Sequence, residues 1–137
     1  MDKYIKTFFT FIGVWFVASL LNGILSGICI MIFDKDEFNG SAGVVILACI
    51  FSFICSVPLV GMVWLTTTIA MANGKQGYAL FQIILATTFF CALIGAVFFI
   101  TTFGTEFMQA RYAAGLCIII SSIAGILSFR NQLKTNE

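Results

Sequence analysis

Four runs of the chain, residues 8–33, 44–72, 78–103 and 112–129, contain no Asp, Glu, Lys, Arg or His, and every charge falls between them or at the two ends. Crossing a hydrocarbon core about 30 Å thick takes roughly 20 apolar residues of helix, and each run is near or above that length. Inside a bilayer a single segment satisfies its own backbone only as a helix. The pattern therefore predicts an all-α membrane protein: four transmembrane helices over those ranges, in an antiparallel up-down bundle. Residues 1–137 leave room for these spans and short joints, so a single four-helix transmembrane domain is expected. The first run is too long for the apolar part of a secretory signal and reads as a retained helix.

Composition strengthens this reading. Hydrophobic residues make up 61% of the chain and charged residues 9%. An ordinary soluble domain carries about a quarter charged residues. A net charge of +1 without a basic cluster excludes nucleic acid as a partner. The bilayer itself is the first partner implied.

Orientation follows from the cations. With four spans, Lys3, Lys6, Lys75, Arg130 and Lys134 share one side, whereas the other receives Lys35 and Arg111 together with Asp34, Asp36, Glu37 and Glu106. In short loops, an excess of Lys and Arg marks the cytoplasmic side. Both termini are thus expected in the cytoplasm, as in a protein of the bacterial inner membrane. Trp15 and Trp64 fall near the cytoplasmic ends of the first two runs. There they either mark the headgroup boundary or sit buried between helices. Placed at that boundary, they put Thr66, Thr67 and Thr68 in the interface.

Small residues predict where helices touch. Ser19, Gly23 and Gly27 recur every fourth position and form a stripe that lets a neighbouring backbone approach closely. Weaker stripes are Ala48/Ser52/Ser56, Thr87/Cys91/Gly95 and Cys117/Ser121/Gly125. Pro58, the only proline, lies inside the second run. It removes a backbone donor, which predicts a kink, with Ser52 or Ser56 able to bond a freed carbonyl.

One set of positions is a candidate site. Asn22, Ser26, Ser52, Ser56, Thr87, Thr88, Ser121 and Ser122 all fall near the midpoints of their helices, two from each. In hydrocarbon such groups seek partners, so the layer is expected to be either interhelical glue or the lining of a narrow uncharged path anchored on Asn22.

Several chemistries lack their reagents. No His is present, and the five cysteines form no C-x-x-C pair. Zinc, histidine-ligated haem and disulfide-exchange chemistry are therefore disfavoured. Cys29 and Cys49 fall at similar expected depths, with Cys117 close to that level, which leaves a disulfide there open. The acidic string Asp34–Gly40 fails as a calcium loop because Phe38 holds a ligand position and Val45 stands at position twelve. Asn39-Gly40-Ser41 is a glycosylation sequon too close to the membrane to be used. Acid–base or serine catalysis lacks a titratable partner within the spans, and no cofactor is implied. The expected role is a non-enzymatic assembly or interaction subunit that binds other membrane subunits or itself. The alternative is an oligomeric channel or transporter for a small neutral or weakly charged solute.

Overall fold

The computed structural model describes residues 2–33, 42–103 and 110–134. They form α1 (Asp2–Phe33), α2 (Ala42–Ala72), α3 (Gly77–Phe103), α4 (Arg111–Ser128) and the short α5 (Arg130–Lys134). The first four are long and apolar enough to span a membrane. They pack into an all-α four-helix bundle in which α1 meets α2 and α4, while α3 meets the same two from the other side.

Contacts along the seams run antiparallel. Asn22 reaches Ser52 on α2, and Thr7, about four turns nearer the start of α1, reaches Met71 near the end of α2. Between α1 and α4, Gly13 lies against Phe129, Gly125 against Ala18, and Cys29 beside Cys117. Gly115 of α4 packs on Ile100 of α3, and beyond α4 the Arg130 guanidinium of α5 sits over the Phe81 ring of α3.

The turn from α2 to α3 shows why so short a joint suffices. Gly74 adopts a left-handed backbone (φ 77°), with its N–H on the Met71 carbonyl and that of Lys75 on the Ala70 carbonyl. This is the Schellman closure of a helix, which a glycine makes without steric cost. The acidic loop 34–41, with its calcium-like string and sequon, and the 104–109 joint lie outside the described residues.

Two boundaries differ from the sequence expectation. α1 begins at Asp2 rather than residue 8, because a charged turn can extend a helix beyond the hydrocarbon. Asp2 also stands favourably at its positive end. The last apolar run breaks at Phe129, whose ring lies on Gly13, and α5 then packs against α3 with Leu133 buried. Pro58 lies within α2, which stays helical through it.

Large side chains fill the half of the bundle that holds the α2–α3 turn and α5. Phe11, Val14, Val63, Met71, Leu80, Phe81, Ile84, Ile126 and Leu133 form one buried cluster there. Toward the other end, contacts pass to small residues. A side chain on Gly23 would collide with the backbone of Cys49, and one on Gly27 would come within 2.8 Å of the Val45 Cα. Gly125 likewise lies on Ala18 of α1, and buried Ser19 and Ser121 stand nearby on those helices. Removing side-chain bulk lets backbones approach, which is how helices gain contact energy where lipid supplies no hydrophobic drive.

Candidate functional site

The polar positions gather around a cavity of about 70 Å³ between the four long helices. Asn22, Ser52, Ser56, Thr88, Ser121 and Ser122 line it, together with Ser19. Ser26 and Thr87 do not. Ser26 donates to the carbonyls of Asn22 and Gly23, and Thr87 donates to the carbonyl of Ile83.

Bonds that cross between helices in this layer are confined, among the described residues, to the α1–α2 seam. Ser56 is their hub. Its hydroxyl donates to the Phe53 carbonyl (3.1 Å), leaving its two lone pairs to accept. The Trp15 indole N–H and the Ser19 hydroxyl fill them, each at 2.8 Å. That hydroxyl is saturated. One layer along, the Asn22 amide donates to Ser52 at 2.9 Å. Ser56 bonds Phe53 rather than Ile54, whose carbonyl is the one that Pro58 deprives of its usual donor.

On α3 and α4 the same residue types turn inward on their own helices. Thr88 donates to Ile84, Ser121 to Cys117 and Ser122 to Ile118, all four residues back. Thr66, Thr67 and Thr68 on α2 do likewise. A hydroxyl that bonds the preceding turn has no need of a partner helix. Within the layer, then, the crossing bonds lie between α1 and α2, and α3 and α4 supply back-bonded walls.

Trp15 and Ser19 belong to the network, although neither is among the candidate polar positions of the sequence: Trp15 reads there as a boundary or buried ring and Ser19 as part of a packing stripe. Their signal was positional, since Trp15, Ser19 and Asn22 follow the i, i+4, i+7 spacing of one helix face. Trp64 is also drawn into the α1–α2 seam, edge-on to Phe8 at 5.6 Å. Both rings are half-buried between helices, the alternative that the sequence left open.

Chemically the cavity is neutral. No carboxylate, lysine or arginine lines it. Among the described residues, no three His, Cys, Asp or Glu side chains stand close enough to hold a metal. Of the buried polar atoms left unmatched among the described residues, the Asn22 Oδ1 is the one that lines the cavity; the others are the Trp64 indole nitrogen and the Arg111 Nε. A buried carbonyl without a donor carries a cost of about 1–3 kcal/mol. The volume beside it has room for about two waters.

The cysteine pairing differs from the depth estimate. Cys29 lies beside Cys117, sulfur to sulfur at 3.8 Å, whereas Cys49 is pressed against Gly23 on another part of α1. All five thiols are free.

No protein-family model, curated protein or solved structure matches this chain.

Proposed function

We propose that this small integral membrane protein is a non-enzymatic assembly subunit whose α2 presents its outer face to another membrane protein or to a second copy of the chain. One glycine carries the reading. Gly13, Gly23, Gly27, Gly95, Gly115 and Gly125 each lie against a neighbouring helix or its side chains, whereas Gly61 has nothing within 4 Å of where a side chain would start. Exposure of large apolar residues means little in a bilayer, because lipid tails solvate them as well as a protein does. A bare backbone notch is different, since it gains contact only when another backbone comes close. α2 is also the least enclosed span, with 6% of its most apolar window buried against 28–33% in the other three.

Co-purification in mild detergent tests this. The parent should retain a partner or form an oligomer, and Gly61→Leu should lose it while keeping its thermal stability. A parent that is monomeric and alone, or a Gly61→Leu variant that keeps its partner, overturns the proposal.

We further propose that both termini are cytoplasmic, as in a bacterial inner-membrane protein, an orientation that the five-to-two distribution of cations supports. A cysteine introduced at Lys75 in a background lacking the native cysteines should resist a membrane-impermeant maleimide added from outside. Labelling there reverses the orientation.

The unmatched Asn22 Oδ1 favours a second reading, a binding point for a small neutral hydrogen-bond donor on a path through the layer. Its test is flux in reconstituted vesicles. Uptake of some neutral solute by the parent and loss of that uptake in stable Asn22→Leu supports the path. Absence of flux for every solute in a panel removes it.

A further inference from the structure

We infer that Cys29 and Cys117 form an oxidisable pair, and that their disulfide closes the seam between α1 and α4 at the end of the bundle away from the chain termini. The sulfurs are 3.8 Å apart, already in contact. They come from helices that are adjacent in space and joined by no loop, since α1 is followed by α2 and α4 by α5. A disulfide here is therefore a cross-link that the connectivity does not otherwise supply. Bonding requires the sulfurs to approach by about 1.8 Å, to a length near 2.05 Å.

Neighbouring contacts settle which cysteines pair. Gly23 meets Cys49 and Gly27 meets Val45, so the α1–α2 seam brings Cys29 level with the start of α2, six residues from Cys49. Six helical residues are about 9 Å. Cys49 is out of reach. Cys55 and Cys91 are also excluded, the first facing outward and the second lining the central cavity.

The two thiols have different access. Cys29 is partly exposed and Cys117 is 8% exposed, which makes Cys29 the sulfur that meets a reagent and Cys117 the one that resolves. With a peroxide as oxidant, the Cys29 sulfur attacks one peroxide oxygen and the O–O bond breaks. The departing oxygen leaves as water with the thiol proton, and Cys29 becomes a sulfenic acid. Cys117 then attacks that sulfur. The S–S bond forms, the S–O bond breaks, and the hydroxyl leaves as a second water with the Cys117 proton. Two thiols and one hydrogen peroxide give one disulfide and two waters.

The test uses the full chain in lipid nanodiscs, treated with hydrogen peroxide, unfolded without reductant and alkylated with N-ethylmaleimide. Alkylatable thiols should fall from five to three, with peptide mapping joining Cys29 to Cys117. The thermal midpoint should rise, because the link closes a long loop in the unfolded chain. Cys29→Ser and Cys117→Ser should each abolish the link, and Cys49→Ser should retain it. A bond between Cys29 and Cys49, a link formed only between two copies, or sulfinic acid on Cys29 with Cys117 still free would each overturn the assignment. So would five alkylatable thiols after treatment.

Discussion

The two sides of the central cavity are built from the same kinds of residue and use them in opposite ways. Along the α1–α2 seam, Trp15, Ser19 and Asn22 send hydrogen bonds across to Ser56 and Ser52. On α3 and α4, Thr88, Ser121 and Ser122 bond their own preceding turns. A serine in an apolar run is thus not by itself evidence of a polar contact between helices, because the backbone four residues back is always within reach. What separates the two sides is the glycine spacing. Gly23 and Gly27 let α1 and α2 approach until side chains as short as Ser19 and Ser56 meet.

The largest effect should come from breaking that approach. Gly23→Leu forces a side chain into the Cys49 backbone, and backbone cannot move aside as a flexible side chain would. Overpacking typically costs 1–3 kcal/mol, and about 3 kcal/mol is expected here, read from detergent unfolding. Gly95→Leu meets only side-chain ends, those of Leu59 and Ile118, and should cost clearly less. Equal losses in the two variants would mean that the α1–α2 seam is no tighter than the rest of the bundle.

Much of this architecture was legible from charge-free runs and small-residue spacing, because both are imposed by the bilayer. A span must be apolar over its length, and close helix contact requires glycine or serine at a four-residue period. Depth along a helix could be counted as well, which is why six of the eight midplane positions line one cavity. Counting depth says nothing about azimuth. Cys29 and Cys49 are matched by distance from their helix ends, yet the seam slides them six residues apart and brings Cys117 to Cys29 instead. The choice between crossing and back-bonding was hidden for the same reason. The packing of α5 escaped notice because a single apolar residue, Leu133, carries it among polar neighbours.

An intermediate effect should follow from Ser56→Ala. It removes the acceptor for both the Trp15 indole and the Ser19 hydroxyl, and the donor to Phe53. At about 0.6 kcal/mol for a typical interhelical bond, with an added cost for the stranded indole donor, a loss of about 2 kcal/mol is expected. Asn22→Leu gives up one crossing bond, worth about 0.6 kcal/mol, while also removing the unmatched Oδ1, which offsets it, so the net loss should not exceed about 0.6 kcal/mol. A larger loss for Asn22→Leu than for Ser56→Ala would move the hub of the network from serine to the amide.

The smallest effects belong to the opposite wall. Thr88→Val keeps the shape of the side chain and removes only its bond to the Ile84 carbonyl, an oxygen that the helix ladder already supplies with a donor. Ser122→Ala gives up the corresponding bond to Ile118. Each change should shift stability by less than about 0.5 kcal/mol, because the carbonyl left behind still has a partner and no group on another helix is stranded. Paired with Ser56→Ala in the same unfolding assay, these variants measure the asymmetry of the layer directly. A loss from Thr88→Val comparable to that from Ser56→Ala would show that the α3 hydroxyl also bonds across the cavity, and the contrast between the two walls would fail.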